Sequence, residues 1–360
     1  MAPSECTVPA SLGEVDLEWC RTAFAGKVDD TLTGVSALPI GGGRMATAAR
    51  LTLTWSSGFG PDTAFLKLSG VDERSRRTAK VLGTAVTELR FYMNLQPRLS
   101  DLAPRCYSWA TDGLARSALL LENVAGAGLD QEAGCSLRDA SRVAETLATL
   151  HARTWDSEDV RRLDWLRYGS LAAHPEAAKL AGRLAGRLIS RLGERSAMRV
   201  KAALSLIQLE IGDDDLAYRC LVHGDARVAN VALRPERVIL LDWQTLAWGS
   251  PFGDLSYLAS TSLNVEEPSE RLAAHQSLFT AYIDSLSAAG ISVDVEEAWC
   301  SYVRLSRSGL TMALVAWAFT NPSGGSADVF RAMAERAAAD VLLLREGGNL
   351  RSAGWPGPLA

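Results

Sequence analysis

The sequence predicts an α+β protein with a small, β-rich N-terminal lobe that contains one helix and a larger, mostly helical C-terminal lobe. Short apolar runs of β-forming residues, separated by turns, concentrate between residues 35 and 122. From about Ser136 onward, apolar residues instead recur at helical spacing. The Gly- and Ala-rich stretch 124–134 is a natural hinge between these regions. We therefore expect one lobe at residues 1–123 and the other at residues 124–360.

The N-terminal lobe is expected to be a small sheet with one helix packed against it. Its β-like runs are residues 49–55, 64–68, 106–109 and 118–122. The turn-rich segment Ser56–Pro61 separates the first two runs. A long helical pattern at residues 78–95 interrupts the strands.

The C-terminal lobe is expected to consist of amphipathic helices and one β-hairpin. Helical spacing of apolar residues covers the ranges 136–155, 175–192, 197–209, 270–288, 295–319 and 326–344. Two short apolar runs, 231–233 and 238–241, flank Arg234-Pro235-Glu236-Arg237 and predict the hairpin. His151, on the first of these helices, is expected to be a packed or capping histidine.

Composition and charge exclude several functional classes. Basic residues (37) are fewer than acidic residues (42), which gives a formal net charge of −5, so no basic excess exists to bind nucleic acid or an anionic membrane. The six cysteines lie far apart without a C-x-x-C pair, which is typical of reduced thiols rather than of a zinc site or a disulfide framework. We expect a cytoplasmic protein without a nucleic-acid or membrane partner, and the sequence leaves the oligomeric state open.

The most informative segment has the pattern H-x-D-x-x-x-x-N, followed by an apolar strand that ends in aspartate. His223, Asp225 and Asn230 supply the first part, and Asp242 supplies the second. Phosphoryl transfer requires a carboxylate that holds the acceptor hydroxyl and accepts its proton, which suits Asp225. It also requires oxygen ligands for Mg²⁺, which Asn230 and Asp242 can provide. We expect the fold to bring these three side chains together, although a core histidine beside loop-capping aspartates would produce the same pattern.

A lysine in an apolar strand supplies the second piece of the same chemistry. Lys67 lies within the run Ala64–Leu68, where an unpaired lysine is costly to bury. On the helical pattern that follows, Glu88 falls on the inward stripe that faces the sheet. An ion pair between Lys67 and Glu88 would satisfy both charges and point the ammonium group at nucleotide phosphates. The alternative is that Lys67 extends to solvent from an edge strand.

Three consecutive glycines, Gly41 to Gly43, precede a predicted strand. Their backbone N–H groups could approach phosphates. The segment matches neither G-x-G-x-x-G nor a Walker P-loop, however, and a plain hairpin turn explains it equally well.

With these motifs in place, the chain resembles the aminoglycoside phosphotransferase-like, choline kinase-like superfamily. It is most similar to the bacterial ecdysteroid kinase-like small-molecule phosphotransferases. The supporting segments are T-E-L-R-F-Y at 87–92, L-L-L-E-N at 119–123, L-H-A-R-T-W at 150–155, V-H-G-D at 222–225, L-D-W-Q at 241–244 and G-S-P-F-G-D-L-S-Y-L at 249–258. They occur in the order expected of the family, within residues 40–258.

The resemblance implies the bilobal protein-kinase-like fold, with ATP and Mg²⁺ as cofactors and a small-molecule hydroxyl compound as the acceptor. By position in the motifs, Asp225 would be the catalytic base. Asn230 and Asp242 would be the magnesium ligands, and Lys67 with Glu88 would form the phosphate clamp.

Supporting roles are implied in the same way. The nucleotide would also be bound by Gly42, Gly43, Glu122, Asn123 and Val124. Two further residues, His223 and Asp254, would support the catalytic loop.

Two departures from the protein-kinase pattern favour a small-molecule kinase. Gly224 stands where protein kinases carry the arginine of H-R-D, so no phosphorylated activation segment would be read through it. Asp242-Trp243-Gln244 lacks the glycine of D-F-G, and only eleven residues separate Asp242 from Asp254. That interval leaves no room for an activation loop ending in A-P-E.

The acceptor is the least determined part of the prediction. We favour a neutral or moderately apolar alcohol, held by apolar and aromatic walls. An aminoglycoside or another antibiotic is the alternative, and it would need converging carboxylates, for which the candidates are Glu266, Glu267, Asp294, Glu296 and Glu297. A catalytically silent nucleotide-binding module on the same fold is the alternative of another class.

Overall fold

Two compact units make up the chain. The computed structural model describes residues 6–40, 46–69, 84–113, 116–124, 129–169, 175–209, 218–318 and 325–347. The N-terminal unit comprises residues 1–126 together with 239–244, and the C-terminal unit comprises residues 127–238 and 245–360. Residues 239–244 thus belong to the N-terminal unit although they are distant from it in sequence.

The N-terminal unit is built on a five-stranded antiparallel sheet with strand order β1-β2-β3-β5-β4. The strands are β1 (Leu32–Pro39), β2 (Ala46–Trp55), β3 (Thr63–Ser69), β4 (Cys106–Thr111) and β5 (Ser117–Glu122). The helices are α1 (Leu17–Phe24) and α2 (Thr84–Arg90), and α2 continues as a π-helical turn, Phe91–Leu95. Each β-like run expected from the sequence falls within a strand.

Three details of this unit depart from the sequence expectation. The expectation of a single helix missed α1, whose buried residues Cys20, Ala23 and Phe24 share one helix face. Strand β1 was not expected because it lies at the sheet edge and most of its residues face solvent, so it has no clear alternation of apolar and polar residues. The helix expected at 78–95 is present from Thr84 to Leu95, and its first part lies outside the described residues.

The C-terminal unit is mainly helical. Its helices are α3 (Leu137–Arg153), α4 (Glu158–Arg161), α5 (Pro175–Ile189), α6 (Glu194–Leu209), α7 (Pro251–Ser262), α8 (Pro268–Ala288), α9 (Val295–Leu305), α10 (Arg307–Ala318) and α11 (Gly325–Gly347). A three-stranded sheet has the order β6-β10-β7 and consists of β6 (Arg167–Tyr168), β7 (Cys220–Val222) and β10 (Ala247–Gly249). The expected hairpin strands are also present: β8 (Val231–Leu233) lies in this unit, and β9 (Val238–Leu240) leads into residues 239–244 of the N-terminal unit.

The single helix expected at 295–319 is wrong, because the chain forms two helices, α9 and α10, on either side of Ser306. The Ser306 hydroxyl donates to the carbonyl of Val303 (2.7 Å). Its N–H is shared between the carbonyls of Tyr302 and Val303. Such local bonds compete with regular helix geometry, so the first helix ends before Ser306 and the second begins after it.

Helix α7 was not expected, and its burial explains why. Every residue from Pro251 to Ser262 except Gly253 is buried, so the helix has no polar stripe to create a helical period. It packs against α3, α9, α10 and α11 within the C-terminal unit. This central helix carries Asp254.

No helix among the described residues combines the length and apolar character that crossing a bilayer requires.

Candidate active site

Lys67 is the centre of a charge cluster in the N-terminal unit. Its Nζ atom lies 2.6 Å from Glu88 Oε2 and 2.6 Å from Asp242 Oδ1. Strand β3 is the central strand of the sheet, with Lys67 opposite Ala48 on β2 and Leu119 on β5. The alternative of an edge-strand lysine is therefore wrong. The structure brings together the two residues that the sequence paired and adds Asp242.

The electrostatics of this cluster keep the ammonium group charged. Burial by itself lowers the pKa of Lys67, but the carboxylates of Asp242 and Glu88 outweigh burial and hold that pKa above its ordinary value. Burial raises the pKa of the Glu88 carboxyl, and the Lys67 ammonium opposes this shift. Two carboxylates thus share one cation, which leaves the cluster with a local excess of negative charge suited to a further cation.

Asp242 is fixed by an unusual backbone and by the aromatic residue after it. Its φ angle is 62°, a left-handed conformation that aspartate tolerates better than most residues. The fully buried Trp243 stacks on Phe91 with ring centroids 4.0 Å apart, and its indole N–H donates to the carbonyl of Leu240 at 3.0 Å. The Gln244 side chain donates to Asp242 Oδ2 at 3.2 Å. The backbone at Asp242, anchored by Trp243, and the hydrogen bond from Gln244 therefore fix the orientation of the Asp242 carboxylate.

Asp225 lies in a loop of the C-terminal unit and accepts hydrogen bonds from three side chains. The Tyr257 hydroxyl donates to Oδ1 at 2.8 Å, and the Asn230 amide donates to Oδ2 at 2.8 Å. The guanidinium Nε of Arg227 lies 3.2 Å from Oδ1. Asp225 is buried, so these bonds replace the water that its carboxylate loses.

Asp254, on helix α7, holds the backbone of the same loop. Its carboxylate accepts the N–H groups of His223 (2.6 Å) and Gly224 (2.8 Å). Behind it, His151 Nε2 lies 3.2 Å from the carboxylate, and His151 Nδ1 contacts the Tyr282 hydroxyl at 2.7 Å. Burial raises the pKa of Asp254, but His151, His223 and the Gly224 N–H together bring it below the ordinary value. Asp254 therefore stays ionised as an acceptor.

Gly224 is required by geometry at its position in the loop. Its φ angle is +80°, and a Cβ atom there would lie 2.4 Å from the carbonyl oxygen of Thr245. No side chain fits such a contact without movement of the backbone. This explains why an arginine cannot occupy the position.

The remaining residues expected to bind nucleotide lie at one end of β5 or outside the described residues. Glu122 forms a backbone bond with Arg105, and its carboxylate accepts the Arg105 N–H at 3.2 Å. The Asn123 amide donates to the Thr63 hydroxyl at 3.0 Å, and Val124 is partly buried. Gly42 and Gly43 lie outside the described residues.

The acidic residues considered for an aminoglycoside include two with structural partners. Asp294 caps helix α9 by accepting the N–H of Glu297 at 2.9 Å. Glu297 in turn accepts the Tyr218 hydroxyl at 3.0 Å. The positions of both carboxylates are explained by contacts within the local fold, without a bound substrate.

Sequence reasoning missed two partners of Asp225. Arg227 follows Asp225 by two residues in the loop, and Tyr257 follows Asp254 by one helical turn. The spacing D-x-x-Y could have indicated Tyr257, because residues three apart share a helix face and Asp254 was already expected to support the catalytic loop.

The oxygen donors expected to bind a metal fit magnesium chemistry. Among the described parts of the chain, no group of three or more His, Cys, Asp or Glu side chains is placed to hold a metal ion. Mg²⁺ needs no such cage, because it commonly binds one or two protein oxygens together with water and phosphate. Both bonds from the Asn230 amide nitrogen go to Asp225, and an amide oxygen is a ligand type that Mg²⁺ accepts. The residues at 230 and 242 therefore fit the ion.

The fold is that of the protein-kinase-like phosphotransferases. The chain belongs to the phosphotransferase enzyme family APH, whose model matches residues 56–287.

Solved structures share the fold over most of the chain. A candidate aminoglycoside phosphotransferase from Ralstonia eutropha is 15% identical with a TM-score of 0.59, and the match covers 93% of this chain and 98% of that one. Choline kinase from Cryptosporidium parvum is 11% identical with a TM-score of 0.59, over 96% of this chain and 98% of that one. An amicoumacin kinase solved with AMP-PNP and Ca²⁺ is 12% identical with a TM-score of 0.50, over 85% and 87% of the two chains.

A curated relative matches a shorter part. Mouse acyl-CoA dehydrogenase family member 11 is 31% identical over 120 residues, which is 32% of this chain and 14% of the relative. The matched region is thus a small part of that protein.

Proposed function

We propose that this protein transfers the γ-phosphate of ATP to a hydroxyl group of a small molecule, with a neutral or moderately apolar alcohol as the acceptor. The observation that carries the proposal is the buried Asp225 carboxylate, fixed by Tyr257, Asn230 and Arg227 in a loop whose backbone Asp254 holds. Phosphoryl transfer depends mainly on positioning and electrostatics. A carboxylate fixed in this manner is suited to orient an acceptor hydroxyl and take its proton.

The cluster around Lys67 would bind the phosphate donor, ATP. The ammonium group of Lys67 would bind the α- and β-phosphates, and Glu88 would keep it directed toward them. The backbone from Glu122 to Val124 would hold the adenine. Family membership supports a nucleotide as donor, and AMP-PNP in the amicoumacin kinase structure points to an adenine nucleotide.

Asn230 and Asp242 would hold magnesium. When bound, Mg²⁺ would neutralise the negative charge that develops on the phosphate groups during transfer. Asp225 would keep the Asn230 amide turned so that its oxygen is available. Trp243 and Gln244 would keep the Asp242 carboxylate in place.

The surroundings of Asp225 support the class of acceptor. Arg227 places a positive charge 3.2 Å from the Asp225 carboxylate, which disfavours a polycationic acceptor such as an aminoglycoside. The Arg227 guanidinium also lies 5.9 Å from the ring centroid of Phe330. Phe330 packs against a buried apolar cluster that includes Leu314 and Met333. An apolar wall beside the acceptor position suits an uncharged alcohol.

The reaction would take place in the cytoplasm. All six cysteines are free thiols, as is typical of a reducing compartment. The cytoplasm also supplies ATP and Mg²⁺.

The test is mass spectrometry of metabolite and antibiotic pools incubated with the protein, ATP and Mg²⁺. We expect an alcohol that gains one phosphate, only when Mg²⁺ is present. The Asp225→Asn variant should lose this activity, and Asp284→Asn, which alters an exposed carboxylate on α8, should keep it. Equal inactivity of the wild type and Asp225→Asn, with ATP bound by both, would favour a silent nucleotide-binding module. Phosphorylated aminoglycosides would assign the acceptor to antibiotics instead.

A further inference from the structure

We propose that Tyr257 is a positioning residue for the catalytic carboxylate, with its hydroxyl fixing the direction in which Asp225 faces the acceptor. This inference rests on the proposed function and assigns a role to Tyr257, a residue for which the segment 249–258 carried no expected role. Helix α7 would then hold the side chain of Asp225 through Tyr257, in addition to holding the loop backbone through Asp254.

The geometry of the contact supports this role. The Tyr257 hydroxyl donates to Asp225 Oδ1 at 2.8 Å, and the tyrosine is only 3% exposed. The ring belongs to the apolar core formed with α10 and α11, so its position is fixed by packing. A donor on a rigid ring restricts a carboxylate more strongly than one on a long flexible side chain.

The Tyr257 hydroxyl remains a hydrogen-bond donor over the pH range in which the protein works. Burial and the neighbouring Asp225 carboxylate raise the pKa of Tyr257 well above its ordinary value, and Arg227 opposes this only in part. The phenol therefore keeps its proton whenever Asp225 is ionised.

Helix α7 thus holds the catalytic loop at two points separated by three residues. Asp254 accepts the N–H groups of His223 and Gly224 and fixes the backbone. Tyr257, nearly one turn further, fixes the side chain of the next loop residue, Asp225. Because positions i and i+3 lie on one helix face, a single rigid helix sets both the path of the loop and the direction of the carboxylate.

The test compares two buried Tyr→Phe variants. Tyr257→Phe removes the hydroxyl that contacts Asp225, whereas Tyr302→Phe removes one that lies 2.6 Å from His275 Nδ1 instead. The assay measures phosphate transfer from ATP to the alcohol found by mass spectrometry, or to water if that is the only acceptor. We expect Tyr257→Phe to lower kcat by about tenfold or more, as loss of a hydrogen bond to a charged group implies. The KM for ATP should not change, and Tyr302→Phe should retain the wild-type kcat.

Two further variants distinguish positioning from a general effect on folding. Adding Tyr257→Phe to Asp225→Glu, which keeps a carboxylate but displaces it, should lower kcat less than it does in the wild type, since the hydroxyl acts through the carboxylate at its native position. Replacing Tyr257 with 4-aminophenylalanine keeps a donor at the same place and should restore kcat, even if the phenylalanine variant folds poorly.

The outcomes separate this inference from the proposed function. A wild-type protein that transfers no phosphate to an alcohol or to water overturns both. A wild type that transfers phosphate while Tyr257→Phe matches its kcat overturns only the role of Tyr257. An equal loss of kcat in the Asp225→Glu background and in the wild type, or no recovery with 4-aminophenylalanine, also overturns that role.

Discussion

At Lys67, one ammonium group satisfies two carboxylates that are distant in sequence. Glu88 is almost fully buried and Asp242 is partly exposed, and both lie 2.6 Å from Nζ. A buried lysine with one partner would serve structure alone. A second, partly exposed carboxylate gives the cluster a side open to a charged ligand, which supports a role in nucleotide binding.

Lys67→Met should raise the KM for ATP by about tenfold or more, because a cation is lost where phosphates would bind. Steady-state kinetics at varied ATP concentration measure this. The control is Lys201→Met, an exposed lysine on α6, whose KM should match the wild type. A normal KM in Lys67→Met would remove the lysine from the phosphate site.

The two carboxylates of the motif should differ in their effect on nucleotide binding. Asp242→Asn should strongly weaken the affinity for ADP in the presence of Mg²⁺, since a charged magnesium ligand is lost. Asp225→Asn should leave that affinity nearly unchanged while it removes turnover. Isothermal titration with and without Mg²⁺ separates the two, and the reverse order of effects would mean that their roles are exchanged.

At the scale of elements, the sequence predicted the longer helices and the buried strands, whose apolar residues follow a clear period. The strands that carry Lys67 and end at Glu122 follow from apolar runs bounded by turns. Helix α7 could not be found in this way because it is buried on all sides. The motif residues themselves were visible, but the contacts of Arg227 and Tyr257 depend on packing between a loop and a helix, which no local pattern encodes.

The turn at Gly224 allows a matched test of a steric requirement. Gly224→Ala and Gly290→Ala both place a side chain at positive φ, +80° and +83°, but only at Gly224 would the Cβ meet another atom, 2.4 Å away. We expect Gly290→Ala to lower the free energy of unfolding by about 1 kcal/mol. Gly224→Ala should cost more and also lower kcat, because the loop that carries Asp225 must move.

Denaturant unfolding and kinetics on both variants check this expectation. Equal losses of stability, with wild-type kcat in both, would show that the loop accommodates a methyl group.

At the scale of the whole molecule, a buried ion pair makes the free energy of unfolding depend on pH. Asp340, on α11, pairs with Arg271 through two contacts, one of them 2.9 Å long. Burial raises the pKa of Asp340, but His275 and Arg271 bring it below the ordinary value of 3.8. A carboxyl whose pKa is lowered by folding stabilises the protein above its ordinary pKa, and this contribution is lost as the pH falls through the folded-state pKa.

Asp340→Asn should therefore lower the free energy of unfolding by about 3–5 kcal/mol at neutral pH, because Arg271 is left buried without its partner. The difference from the wild type should shrink as the pH falls below about 4. Urea unfolding of both proteins between pH 3 and pH 7 measures it. A difference that stays constant with pH would contradict the ionised pair.

The sequence also anticipated one contact within the candidate site and leaves another grouping as a prediction. Lys67 and Glu88 were paired from strand and helix patterns, and the structure places them in contact. The sequence set Asp242 beside Asn230, and the structure places the Asp242 carboxylate in contact with Lys67 and Gln244. Convergence of the carboxylate and the amide on one magnesium ion stays a prediction, since linear order does not encode which unit a short segment joins.

Membership of residues 239–244 in the N-terminal unit bears on how the protein is made. Phe91 gains its stacking partner and Lys67 its second carboxylate only from this segment. On the ribosome, a nascent chain that has released residues 1–126 still lacks both. The N-terminal unit can therefore complete its packing only after residue 244 has left the exit tunnel.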